Sequence, residues 1–386
     1  MKRALVLLFL LASLALPAKD KPKVQDELFG EIDSILAELS KITGWPVKRK
    51  VPAAYITRDK LRDFVTKRLK EEVKDEDVKI EQQILQMLGL IPKSFDLRKS
   101  TVDLITEQAA AFYDYNRRRL YVLETDESTL ERRVTLAHEL AHALADQRFS
   151  LRKFIKGGME GDDQAVARQA VVEGQATWLM WAYMAVRGGR EPSVPIELLA
   201  NANMNAASGG AGFPVLAEVP MYLRESLIFP YTRGLLFQNE VHKAQGVKGF
   251  TAVFTNPPDS TRQILHPETW QKGEKPVEVK APDAPKGYKL KAEGSMGEFD
   301  HHVLIRQYID DVAADRVAPH WRGGTYRLYH SKKGDPVLTY ASTWDTPESA
   351  EWFLIEYKAI VDKKGQTQKR IWRDGATVRS IEGLPE

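Results

Sequence analysis

Cysteine is absent from all 386 residues, and that absence removes several chemistries at once. No disulfide can staple the chain, no thiolate can bind a metal or act as a nucleophile, and no lipidated cysteine can anchor it. A metal, if one is bound, must be held by imidazoles and carboxylates. A charge excess is missing too. Lys and Arg number 56 against 53 Asp and Glu, so the chain lacks the basic field of a nucleic-acid binder. Histidine is scarce, with 8 in the chain, which makes two at a set spacing informative. Long apolar runs are missing beyond the first residues. There Lys2 and Arg3 precede an apolar stretch from Ala4 to Leu16, and Pro17-Ala18 offers a small residue for cleavage. About 13 apolar residues fall short of the ~20 that span a bilayer, so residues 1–18 read as a signal peptide and not an anchor. The expectation is a secreted or periplasmic protein with no stable membrane span after cleavage and no nucleic-acid partner.

What is present is enough apolar sequence, 43% of residues, to bury more than one core. Apolar positions recur at helical spacing over 24–41 (Val24, Leu28, Ile32, Ile35, Leu36, Leu39), then over Arg58–Val73 and Val78–Leu88. These predict an N-terminal helical region, 19–95, whose ordinary patterns fit an integral support better than a removable pro-segment. Ala110–Glu124 reads as a hairpin of two short aromatic and β-branched strands around a polar turn at Asn116–Arg119. Ser128, with Glu131 three residues on, opens a helix that continues to about Gln147. A second long helix runs from an acidic start near Asp163 to Gly188-Gly189. Asn201–Gly212 lacks periodicity and predicts a mobile loop of the kind that forms lids, and a helix follows around Tyr231–Ala244.

The Lys- and Pro-rich stretch 271–293 reads as a linker. From Gly294 the pattern changes to helix (Glu298–Ile309), strands (Gly324–His330, Val337–Ser342), helix (Thr346–Val361) and a hairpin about Asp374-Gly375. The predicted fold is therefore helix-rich α+β: a catalytic domain over 96–270 and a small α+β module over 294–386.

The chemistry concentrates in H-E-L-A-H at residues 138–142, inside the capped helix. Two His four apart project from one helical face, so both imidazoles can reach a single tetrahedral Zn²⁺ with Glu139 beside it. By chance such a pattern is expected on the order of once in a hundred chains this poor in His. The apolar neighbours Leu136, Ala137, Leu140, Ala141 and Leu144 predict a buried helix, in which unpartnered His and Glu would be costly. A catalytic zinc needs a third protein ligand. His242, His266 and a carboxylate are candidates, and the strongest is Glu173, a lone acid among Val171, Val172, Ala176, Trp178 and Leu179. A structural salt bridge from Glu173 to Arg168 or Arg133 is the competing reading. Small Ala170 and Gly174 are expected to let the second helix approach the H-E-L-A-H helix.

With zinc bound, Glu139 is the expected general base, and peptide or protein is the expected substrate. Asp146, one turn after His142, is a candidate to orient a histidine. Tyr231, Arg233 and His266 are candidates to stabilise a developing oxyanion. The hairpin could offer an edge strand to a peptide.

H-E-L-A-H followed by E-G-Q-A resembles the gluzincin branch of the zincin metallopeptidases, in which a Glu on the next helix is the third zinc ligand. The ordered set F-Y-D-Y-N-R-R-R-L-Y-V, L-A-H-E-L-A-H-A-L-A-D-Q, V-V-E-G-Q-A, F-P-Y-T-R-G and P-P-D-S-T-R-Q-I-L-H-P, over about 105–345, resembles a group of largely uncharacterised secreted bacterial metallopeptidase-like proteins. That group commonly has S-T-E-Q where this chain has Ser260-Thr261-Arg262-Gln263. The resemblance implies a zincin-like core with His138, His142 and Glu173 as ligands and Glu139 as base.

Overall fold

The structure, a computed structural model, describes residues 29–124, 129–158, 161–196 and 213–384. The expected signal peptide, the start of the 24–41 helix, the Ser128 cap and the Asn201–Gly212 loop lie outside these residues. Among the described residues no helix is long and apolar enough to cross a membrane.

Four helices and a small sheet frame the centre of the molecule. Helix α1 (Ile32–Thr43) stops at Gly44, whose left-handed φ of 70° few other residues adopt readily. Strand β1 (Ala53–Ile56) then leads into α2 (Arg58–Glu72), α3 (Asp75–Leu88) and α4 (Leu97–Gln108). The hairpin follows as β2 (Ala111–Asp114) and β3 (Arg119–Leu123). β1 joins β3 in parallel and β2 pairs with it antiparallel, giving the order β1-β3-β2. Both faces of the sheet are covered. Phe112 and Leu123 face a cluster with Leu61 and Val65 of α2 and Ile105 of α4, while Ala111, Tyr113, Leu120 and Val122 face the main core. Period-two alternation sorts them.

Under that second face lies α5 (Thr129–Phe149), which is followed by the short α6 (Leu151–Lys156) and then α7 (Asp162–Arg187). Every residue of α5 from Leu136 to Gln147 is buried, the condition of a helix surrounded by protein on all sides. After α8 (Pro214–Glu218), the 25-residue α9 (Met221–Gln245) packs along α7, with Pro230 inside it. α10 (Lys248–Thr255), α11 (Thr261–Leu265) and α12 (Pro267–Gln271) close this part.

The C-terminal module is a five-stranded antiparallel sheet in the order β4-β5-β6-β8-β7, built from β4 (Lys289–Ser295), β5 (Trp321–His330), β6 (Pro336–Trp344), β7 (Lys369–Asp374) and β8 (Thr377–Glu382). Helices α13 (Glu298–Tyr308), α14 (Asp311–Val317) and α15 (Pro347–Lys363) complete it. β4 takes in the last residues of the stretch expected to be a linker. The fold is helix-rich α+β.

Candidate metal centre

His138 and His142 leave α5 one turn apart, with ring centroids 4.7 Å apart and planes at 84°. Their Nε2 atoms are 3.1 Å from each other, and Glu173 Oε2, arriving from α7, lies 3.2 Å from both. Donor atoms at zinc-ligand distance from one tetrahedral ion sit about 3.3 Å apart, so this triangle has the size such an ion requires. All three side chains are buried, Glu173 to 1% exposure. Among the described residues no other His or carboxylate joins the group.

The electrostatics favour a cation at that point. Burial alone would raise the Glu173 pKa, yet the charge of His142 and the hydrogen bonds from both imidazoles hold it down at about 2. Burial opposes the charged form of His142, but the Glu173 carboxylate outweighs it and the His142 pKa rises. A divalent cation would therefore compete with the proton on His142. Glu173 thus answers to histidines, not to an arginine: Arg133 pairs with Glu31 and Arg168 donates to Phe154 O.

Glu139 is buried beside His138, and the Tyr113 N–H donates to its Oε2 at 2.6 Å. That amide belongs to β2, so the hairpin holds the carboxylate of the expected base. Tyr231, on α9, stacks its ring on His138 with centroids 5.9 Å apart and 27° between planes, and its hydroxyl bonds to the Glu173 carboxylate. Burial, then the charges of Glu173 and Glu139, push its pKa far up, which keeps the phenol protonated. Tyr231 therefore stands at the centre.

The other candidates lie elsewhere. His266 Nε2 bonds to Glu298 Oε1 of the C-terminal module at 2.7 Å, and Glu298 also accepts from Arg262. Arg233 is exposed, and His242 packs on Trp178. Asp146 binds neither histidine; it accepts from Arg49, from the Tyr113 hydroxyl at 3.0 Å and from the Leu151 N–H. β2 is buried along its length yet lies at the edge of its sheet, and from there its Tyr113 amide positions Glu139.

Ala170 and Gly174 serve a further close approach. They meet Gly234 of α9: a Cβ on Gly174 would stand 2.5 Å from Gly234 Cα, and one on Gly234 would stand 2.9 Å from the Ala170 carbonyl carbon. Two bare backbones touch at this crossing, which brings Glu173 and Tyr231 to the same place. Sequence reasoning missed the Gly234 partnership and the Tyr113 link. The Gly three residues after Tyr231 and the inward phase of Tyr113 in its strand were the signals available.

Against families of known proteins, residues 287–383 match one described as a domain of unknown function (DUF8575), which covers the C-terminal module. No curated protein and no solved structure matches the chain.

Proposed function

We propose that the chain is an exported zinc-dependent peptidase with a zincin-like core, hydrolysing peptide bonds of peptide or protein substrates. The convergence of His138, His142 and Glu173 on one point, with Glu139 alongside, carries this reading. Three protein ligands leave a tetrahedral ion one position for water or substrate, whereas structural zinc sites are closed by four. The H-E-L-A-H and E-G-Q-A motifs and the apolar leader at residues 4–16 support the same conclusion.

When bound, zinc supplies a Lewis acid that acidifies water and polarises a scissile carbonyl. Glu139 takes the water proton and delivers it to the leaving amine, held in orientation by the Tyr113 amide. With Glu173 engaged by the metal, the protonated Tyr231 hydroxyl would be free to turn its single proton from that carboxylate to the developing oxyanion. In Glu139→Gln the amide side chain keeps the shape but cannot take a proton. Zinc content should stay at the wild-type level while peptide hydrolysis falls by about 10²–10⁴-fold. Wild-type turnover by the variant would remove Glu139 from the mechanism.

A further inference from the structure

The C-terminal module meets the helix that carries Glu173 at that helix's first turn. Asp162 and Asp163, both buried, sit there side by side. The Tyr326 hydroxyl of β5 donates to Asp162 Oδ2, and the Asp163 N–H donates to Ser295 Oγ of β4 at 3.0 Å. Asp163 Oδ1 accepts from the Thr261 hydroxyl at 2.6 Å and from the Thr261 N–H at 3.1 Å, and that hydroxyl oxygen in turn accepts from the Phe299 N–H of α13. The glycines are sockets: a Cβ on Gly294 would overlap the Asp162 carboxylate, and one on Gly297 would overlap that of Asp163. The two aspartates are thus held by strands, a loop glycine and α11 together.

Such a grip controls a motion that the glycine crossing does not. Gly174 against Gly234 fixes how closely α7 and α9 approach. Beyond Glu173, the side chains of Gln175, bonded to Gln238 and Phe250 O, and Trp178, bonded to Asn239, key α7 to α9 and α10, so the grip on Asp162 and Asp163 is the hold at the helix's other end. A turn of about 10° carries a carboxylate at ~6 Å from the axis by roughly 1 Å. Zinc–ligand distances tolerate about 0.2 Å. Neighbouring residues point about 100° apart round a helix, so holding both Asp162 and Asp163 blocks rotation in either sense.

We infer that the C-terminal module positions the third metal ligand: by gripping Asp162 and Asp163 it holds the N-terminal part of α7 in rotation, as Gln175 and Trp178 hold the part beyond, and so fixes Glu173 between the two holds. This rests on the metal-centre reading above, and it gives the 287–383 module a role within the same site. Ser260-Thr261 finds its place here as well, with Ser260 capping α11 and Thr261 presenting two donors to Asp163.

The test compares two loosened grips with a destabilised module. Gly297→Ala forces the Asp163 socket open and Tyr326→Phe removes the bond to Asp162. Lys364→Met weakens the module's other attachment, where Lys364 Nζ donates to Met87 O of α3 and pairs with the buried Glu382. Zinc affinity is read by chelator competition, and ligand geometry by the visible spectrum of cobalt(II)-loaded protein. Gly297→Ala and Tyr326→Phe should weaken zinc by about tenfold or more and change the cobalt spectrum, as loss of outer-shell support does. Lys364→Met should lower the melting temperature and leave both readouts at wild type. Should Gly297→Ala fail to fold, Tyr326→Phe decides alone. Folded grip variants that bind zinc and cobalt like wild type overturn the inference and leave the metal centre standing, as does a Lys364→Met protein equally impaired in zinc. Wild-type protein that binds no zinc overturns both.

Discussion

Glu173 shows how much a single buried side chain can reveal. An ionised carboxylate at 1% exposure is costly unless partnered, and two imidazoles and a phenol are the partners it has. The phenol separates ligand chemistry from oxyanion chemistry. Tyr231→Phe keeps the ring that stacks on His138 and removes only the hydroxyl. Because that hydroxyl also bonds to Glu173, zinc affinity should weaken by about tenfold, while in the zinc-saturated variant kcat falls by about 10²–10³-fold with little change in KM, the pattern of a donor used in the transition state. Steady-state kinetics on the zinc-loaded variant check this, and an unchanged kcat would assign Tyr231 to packing alone. At this scale the sequence was legible wherever chemistry is local: His138, Glu139 and His142 lie within one turn of one helix. Asp146 misled because its place on the histidine face says nothing of Arg49 and the Tyr113 hydroxyl, which come from distant segments and claim it.

At the scale of elements, α5 and α7 were readable because each is long, has acidic charge in its first turn and carries a dense run of buried apolar positions. β1 was not, since Ala-Ala-Tyr-Ile carries no alternation and owes its extended form to parallel pairing with β3. β4 hid in a Lys- and Pro-rich stretch because it is an edge strand with a bulge between Leu290 and Ala292 and few buried positions. Gly174 announced a close approach without saying to which helix. Helix α13 offers a test of its own. Its His301, fully buried, donates from Nδ1 to Gly297 O and accepts at Nε2 from the Tyr340 hydroxyl of β6. Burial lowers its pKa from 6.5 to about 4. Between those values the unfolded chain binds a proton that the folded one refuses, so the stabilising contribution is whole above pH 6.5 and is lost as pH falls towards 4. The loss amounts to about 3 kcal/mol at full extent. Urea unfolding at pH 7 and pH 4.5 should show a smaller pH effect in His301→Gln, which cannot charge. An identical pH effect in the two proteins would contradict this account of the module.

Across the whole molecule, the N-terminal region and the module are both built into the frame of the candidate metal centre. α1 lies in the main core and ties to α5 through Glu31 and Arg133, and β1 supports the hairpin that holds Glu139. The module grips α7 at one point and the end of α3 at another, where Tyr308 and Gln307 donate to Gly89 O. Such long-range assembly was not legible in the chain, because the pairs that make it lie from tens to more than 200 residues apart and carry no shared periodicity. The central claim, that one cation is held jointly by α5 and α7, is tested most directly by elemental analysis of untagged protein after equilibration with zinc and gel filtration. Wild type should retain one zinc per chain, and His142→Ala and Glu173→Ala should each lose it while remaining folded. A wild-type protein free of zinc, or substituted proteins that keep a full equivalent, would contradict the account.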